Sequence, residues 1–481
     1  MLIDPAAYLG TLQNNIRQRP IAWDGAVRAG SITDVQLAKI RAISSTQKPD
    51  DRRKAVQNDL GGFSELFLGA AGQPSSLESA AKHANIIQHL LVLFGDLLEL
   101  VPNFATALFE SGNPCSTLLN LLAHSNSSED TIPLLASTVL TNIIAATRDQ
   151  SAATLQDALP VLLTYLSGLA KSQDSGLQSV AVQQYSALLY GQAPRREFWA
   201  HRSETVEPLV KILRTAAGVG SNGNSSASMW SGVSSGRSAG ADGFINGGVG
   251  LQLLYHVLLV LWQLSFEAGE IGDELDDEYD IIVLYTQLLK VSPKEKTTRL
   301  LIATLNNLLE KNPKSLLPIA VLARLPAQVE TMVSRHMTDS DLVEDITNLK
   351  EMLEEYSKNK TTFDEYMAEV QSGHLRWSPP HRNTVFWAEN ARRILEHNQG
   401  EIVSKLAEIM KKPWDNDKQV LAIACNDIGF LVKEVPEKRH QLEKLGIKTR
   451  IMELMGEANE TVRWESLRAL GGWLKYSFDS K

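Results

Sequence analysis

Two cysteines, Cys115 and Cys425, are all that the 481 residues carry. So distant a pair gives no disulfide framework and no zinc site of the usual cysteine type, so a reducing compartment is expected. Long apolar runs are missing as well. The most apolar window, Leu251 to Phe266, is broken by Gln252, His256 and Gln263 and falls short of the roughly 20 residues that span a bilayer. The opening Met1-Leu2-Ile3-Asp4-Pro5 lacks the basic and then apolar stretch of a signal peptide. Membrane association is therefore expected only through a partner. Nor is there an excess of positive charge: 47 Lys and Arg against 56 Asp and Glu give a net charge of -9, and no basic stripe for duplex nucleic acid or an anionic bilayer. Catalytic signatures are missing too. There is no phosphate loop ending in Gly-Lys-Ser/Thr and no His-Glu-x-x-His. The ten histidines are scattered, and His83 and His89 lie six apart, which is not one helical face. The expectation is a chain with no catalytic, cofactor-binding or metal-binding residues. Asn126, Asn224, Asn359 and Asn459 open glycosylation sequons, which carry no meaning without a secretory signal.

What is present is apolar residue at helical spacing. Apolar residues make up 43% and charged residues 21%, the proportions of a chain that buries a core. From Ser292 to Pro313 the pattern predicts a helix capped by Ser292, with Pro293 at its first position and Glu295 closing a capping box. Leu301, Leu305, Leu308 and Leu309 fall on its buried face. Leu342, Ile346, Leu349 and Leu353 share the face of another, whose acidic start, Asp339, Asp341 and Glu344, suits the helix dipole. Strand-like alternation is hard to find, and apolar pieces such as Ile281 to Leu284 run into helical patterns.

The helices come in pairs, and near the C-terminus the pairs repeat. Lys405-Leu406-Ala407-Glu408-Ile409-Met410 resembles Arg450-Ile451-Met452-Glu453-Leu454-Met455 at an offset of 45 residues. Val420 to Val432 lies on Val462 to Leu474 at an offset of 42, placing Gly429 on Gly471. Weaker versions occur at Leu118 to Ala146 and Leu284 to Leu309. A period in the forties marks HEAT or armadillo units, which bury their apolar faces by stacking. The expected fold is all-α, a HEAT/armadillo-like right-handed α-solenoid. Its expected division is an N-terminal helical-repeat domain, 1–356, a boundary segment, 357–380, and a C-terminal helical-repeat domain, 381–481. Gly218 to Gly250, rich in Gly, Ser and Asn, reads as a mobile loop within the first domain.

Four features remain as candidates for function. Gly218 to Gly223 and Gly232 to Gly236 spell a dinucleotide fingerprint and a nucleophile elbow, but neither has the strand before it and the helix after it that the chemistry needs. Glu270 to Asp280 reads as a solvated acidic loop between helices rather than a site for a basic partner. Lys411, Lys412, Trp414, Asp415 and Asp417 form the loop between the paired helices of one repeat. An aromatic ring set among charges is covered either by a partner or by the repeat itself, and both readings stay open. These five are the candidate partner-binding residues.

Leu375-Arg376-Trp377-Ser378-Pro379-Pro380-His381, followed by Phe386-Trp387-Ala388-Glu389-Asn390, resembles the opening of the C-terminal domain in the family of H subunits of the vacuolar-type proton-pumping ATPase (V-ATPase). Gln419 to Ala424, Asn426-Asp427-Ile428-Gly429, Leu445 to Lys448, Ile451 to Met455 and Val462 to Glu465 continue the resemblance. Arg19 to Trp23 with Ser31-Ile32-Thr33 is similar to the family's N-terminal opening. The Asn-Asp-Ile variant looks fungal, Phe430 replaces a common acidic residue, and Gly218 to Gly250 is an insertion. The resemblance implies a non-catalytic regulatory subunit, required for coupling ATP hydrolysis to proton transport and for silencing the cytoplasmic sector when it detaches. Its implied partners are the peripheral stalk, the membrane sector's large subunit and, after detachment, the rotor side. It implies a place on the cytoplasmic face of vacuolar or other endomembranes, or in the cytosol when detached. The rival is an armadillo-type adaptor or transport receptor binding peptides in its groove. Such receptors repeat Trp and Asn at the helical-unit period, a rhythm that Trp199, Trp262, Trp377 and Trp414 do not keep.

Overall fold

The structure, a computed structural model, describes residues 7–44, 48–70, 73–123, 131–147, 152–218, 249–292, 294–358, 361–414 and 417–479. The described residues are overwhelmingly helical, with an isolated β-bridge between Ala70 and Gln73 and no extended strand among them. The all-α expectation holds. Most of Gly218 to Gly250, including both Gly/Ser letter matches, lies outside the described residues, as do Pro293 and Asp415.

Two compact units emerge, one of residues 1–212 with 251–267 and one of residues 213–250 with 268–481. In the first, helix Ala84–Leu100 packs on Thr131–Ala146, and Ser175–Leu188 packs on Leu251–Leu264. Phe67 stacks on Phe94 at 4.2 Å, with Phe104 edge-on to both. Some polar groups buried between helices pair across them, which offsets part of the cost of their burial. Thr141 Oγ1 donates to Gln184 Oε1 at 2.9 Å, and Gln263 Nε2 donates to the Ser186 carbonyl at 2.9 Å.

In the second unit the Leu342, Ile346, Leu349, Leu353 face is buried within helix Ser340–Lys358, as its spacing predicts. The predicted cap upstream is different. Helix Glu295–Lys311 begins at Glu295 with Lys294 as N-cap, and Ser292 instead shares hydroxyl hydrogen bonds with Thr297 and Thr298. Glu295 is turned to a neighbour: its carboxylate accepts from the backbone N–H groups of Thr338 and Asp339, at the approach to Ser340–Lys358. A carboxylate there suits the helix dipole, but it arrives from 43 residues away and no local pattern shows it.

The acidic run is also a correction. Glu270 to Asp280 is not a loop but most of helix Ala268–Tyr279, because Ile271, Leu275 and Tyr279 recur on a buried face that also takes in Asp276, while Glu270, Asp273, Glu274, Asp277 and Glu278 point outward. The helical run from Leu251 to Tyr279 is in consequence long and apolar enough, by length and composition alone, to cross a membrane, longer than the sequence window suggested. Leu254, Val257, Leu258 and Leu261 in it are buried within the protein.

Residues 357–380, expected as a boundary, hold helix Thr362–Ser372, with a Thr361–Asp364 capping box at one end and Gly373 in left-handed conformation at the other. Phe363, Tyr366, Met367 and Val370 from this helix belong to one apolar core with Trp387, Leu406, Ile423, Leu431, Val462 and Trp473. Helices Gln419–Glu434 and Glu460–Asp479 meet most closely within it. A Cβ added at Gly429 would lie 3.3 Å from the Ala469 Cα, so the backbones approach more closely than most side chains allow and a larger residue must push the helices apart. Replacing Gly429 with Leu is therefore expected to destabilise the protein by about 1–3 kcal/mol through overpacking, read as a lower denaturation midpoint by circular dichroism; an unchanged midpoint contradicts the close approach.

Candidate functional site

Helix Glu401–Lys411 ends in the candidate loop. Lys411 and Lys412 are exposed, while Trp414 and Asp417 are half-buried. Trp414 adopts φ 48°, a left-handed conformation that is a genuine outlier for a bulky side chain. Surrounding contacts hold it there. Its indole Nε1 donates to the Ile409 carbonyl at 2.7 Å, its ring packs against the apolar core, and His374 meets it edge-on at 5.8 Å. The Lys412 ammonium lies 5.6 Å from the ring centroid. Asp417 N donates to the Trp414 carbonyl, closing the turn. Lys418 braces the far side, donating to the Pro413 carbonyl at 2.8 Å and pairing with Glu457 at 3.5 Å. The ring thus contributes to packing and also lies beneath the exposed Lys412 ammonium, with exposed Lys411 at the end of the helix just before it. His374, which pairs with Asp280 at 3.2 Å, and Lys418 take part in this arrangement without having been singled out by sequence.

Elsewhere in the C-terminal repeats is the feature that sequence reading missed. His381, Asp427 and Glu369 are almost wholly buried. The imidazole Nδ1 donates to both Asp427 oxygens at 2.8 and 2.9 Å, and Nε2 donates to Glu369 Oε1 at 3.0 Å. Carboxylates accept hydrogen bonds, so both ring nitrogens carry protons and the ring is an imidazolium. Burial opposes that charge, yet the flanking Asp427 and Glu369 carboxylates outweigh it and raise the His381 pKa to about 10. Burial pushes the Asp427 carboxyl up, against the lowering pull of His381. The surplus negative charge is spread over neutral donors. Tyr366 Oη and Asn426 Nδ2 donate to Asp427, and Ser378 Oγ and the Arg376 N–H donate to Glu369. Arg468 donates to Asn426 Oδ1 at 3.0 Å and brings the next repeat into the network. No group of three His, Cys, Asp or Glu among the described residues is placed to hold a metal ion; here both histidine nitrogens are already engaged.

The two cysteines are buried, and burial raises their thiols to about 11 for Cys115 and about 12 for Cys425. Both are packing residues rather than nucleophiles. Trp377 lies under the Arg382 guanidinium at 4.4 Å, and Phe430 stacks on buried Trp387 with centroids 5.4 Å apart. Asp276, buried and accepting from Ile282 N at 2.9 Å, is raised to about 7 by that burial.

Stacked helices, a charged loop and a buried ion network that fastens helices together define a helical-repeat protein. Comparison with known proteins narrows this. Models of the N- and C-terminal domains of the V-ATPase H subunit match residues 7–353 and 359–478. The chain belongs to the V-ATPase H-subunit family. The V-type proton ATPase H subunit of Drosophila melanogaster is 33% identical over 227 residues, covering 46% of this chain and 47% of the relative. The match thus spans about half the length of that relative, and the same is true of a probable H subunit from Caenorhabditis elegans, of which 49% is covered at 33% identity. The Dictyostelium discoideum H subunit is 24% identical over 94% of this chain and 91% of its own. Among solved structures, an engineered protein covers 92% of this chain and 99% of its own at 13% identity and a TM-score of 0.41. A designed armadillo repeat protein covers 66% and 98% at 13% identity and 0.34. Likeness at that level carries no argument, and the fold rests on the helices themselves.

Replacing His381 with Asn is expected to destabilise the protein by about 3–5 kcal/mol, because it leaves buried carboxylates without their counter-charge. In the native chain the histidine holds its proton to about pH 10, against 6.5 unfolded. Its contribution is therefore complete below about pH 6.5 and is lost as pH rises through about 10, since over that window the folded state binds the extra proton. Thermal denaturation from pH 6 to 10 should show this fall in the wild type and a flatter profile in His381→Asn. Identical profiles contradict a protonated native histidine.

Proposed function

We propose that this chain is the non-catalytic regulatory subunit of a vacuolar-type proton pump. In the assembled pump its N-terminal repeats grip the peripheral stalk and its C-terminal repeats reach the large subunit of the membrane sector, coupling ATP hydrolysis to proton transport. On detachment the C-terminal repeats turn to the rotor side and silence hydrolysis by the cytoplasmic sector. The chain then works at the cytoplasmic face of vacuolar or other endomembranes and follows the detached sector into the cytosol. The observation that carries this reading is the pair of family models, which together run from residue 7 to residue 478. Their junction, between residues 353 and 359, supports an N-terminal domain of 1–356, while the second model takes most of the 357–380 segment together with the C-terminal domain 381–481. A small domain can choose between two surfaces when its affinities for them differ by a few kcal/mol.

The silencing contact is assigned to Lys411, Lys412, Trp414, Asp415 and Asp417. Two exposed lysines, one with its ammonium over a half-buried indole, suit an acidic surface on the partner, with the ring as anchor. The strained backbone at Trp414 supports the assignment, because such outliers cluster where structure is held ready for a contact.

Added to detached cytoplasmic sector that lacks this chain, Trp414→Ala should require roughly 10- to 30-fold more protein than wild type for half-maximal suppression of ATP hydrolysis, the loss of one hot-spot residue. Lys411→Glu with Lys412→Glu alters exposed side chains and should weaken suppression without lowering the denaturation midpoint. Full suppression by both variants at the wild-type concentration rules the loop out as the contact.

A further inference from the structure

The repeat at the end of the described chain is built differently from the one it copies. In the preceding pair, Ala422, Cys425, Gly429 and Val432 form a stripe along Gln419–Glu434, and Ala407 lies on Glu401–Lys411. Apart from the glycine these residues are buried, and what covers the stripe is the next repeat's second helix. Gly429 meets Ala469, and the Val432 side chain meets the position of Gly472. Moving by the sequence offsets of 42 and 45 residues carries the stripe onto Trp464, Leu467, Gly471 and Leu474, and Ala407 onto Met452. These residues lie in the open: Trp464 is 65% exposed, Met452 54%, Leu474 50% and Leu467 49%. A Cβ at Gly471 would meet nothing within 4 Å, where its counterpart Gly429 lies against a neighbouring backbone.

Compared with its counterpart, this face has gained larger apolar residues: alanine has become tryptophan and methionine, cysteine has become leucine, and valine has become leucine. The patch amounts to a few hundred Å² at most, the range in which exposed apolar surface marks a binding site. It is smaller than the roughly 800 Å² per partner of a stable dimer, but one helix covers it. The glycine between Leu467 and Leu474 leaves a notch for close backbone approach, as at Gly429.

We propose that this face, centred on Trp464, Leu467, Gly471 and Leu474, docks an amphipathic α-helix of another component of the pump. The incoming helix presents small residues along its contact stripe, as Ala469 and Gly472 do in the repeat's own packing. The identity of the partner rests on the function proposed above, whereas the face and the helix it accepts rest on the repeat geometry.

The test uses the full chain and two probes, the cytoplasmic sector lacking this chain and the membrane sector. Gly471→Leu fills the notch in open space and improves helix propensity, so the protein stays folded. Trp464→Asp removes the largest apolar side chain from an exposed position. Both variants should bind one of the two probes at least tenfold more weakly than wild type, with denaturation midpoints no lower. If wild type binds neither probe, the proposed function fails, and the docking partner named here fails with it. If wild type binds and both variants match it, the docking face alone is overturned. Sedimentation that shows a wild-type dimer dissolved by Gly471→Leu overturns it in favour of self-association.

Discussion

An imidazolium with a carboxylate on each of its nitrogens, all three groups buried, fastens the C-terminal repeats together. His381 lies on a short helix, Pro379–Arg382, that has almost no apolar surface of its own to hold it. Its bond to Glu369 ties down Thr362–Ser372, and its bond to Asp427 ties down Gln419–Glu434. Arg468 extends the hold to Glu460–Asp479. Apolar packing is non-directional and tolerates sliding, whereas these bonds are satisfied in one register only. A buried ion network is weak grounds for claiming stability over an apolar core. Its value here is positional. The segment that precedes the repeats is fixed to them, His374 is held within reach of Trp414, and the loop that carries Lys411 and Lys412 is presented from a rigid base.

Packing and function are continuous at this site. Trp414 is covered on one side by the core and His374 and carries charged groups on the other. The two readings left open by its sequence context are therefore compatible: the same ring is anchored and available. The opposite solution is found at Trp464, on the outer face of the last described helix, where the ring leans on nothing comparable and two thirds of it meets solvent. The first tryptophan stiffens a loop, while the second offers apolar area.

What the sequence made legible follows the range of the interactions. Helices and their buried faces were readable because the 3.6-residue period is local, and Leu342, Ile346, Leu349 and Leu353 fall where it puts them. The repeat was readable because two helix pairs kept their apolar spacing. The misreadings came from long-range partners. Glu295 looks like half of a local capping box and is in fact the cap for residues 338 and 339. Glu270 to Asp280 reads as solvated because charge dominates it, yet three apolar residues at helical spacing are enough to bury one face. His381 and Asp427 were noticed as letters in a family signature, but their partnership spans 46 positions and includes Glu369, which nothing local marks. A carboxylate three residues from a buried tyrosine, on the apolar face of its helix, was the available signal. The exposed face of Glu460–Asp479 was also within reach, since the alignment of the two repeats shows small residues replaced by large apolar ones.

In the proposed function this helical-repeat chain acts by docking on the rotary pump. The most direct measurement is ATP hydrolysis by purified cytoplasmic sector lacking this chain as the wild-type protein is titrated in, with binding followed in the same samples. The account predicts that hydrolysis falls with binding and reaches its floor near one chain per complex. Hydrolysis that continues at its original rate after the chain has bound stoichiometrically would contradict it.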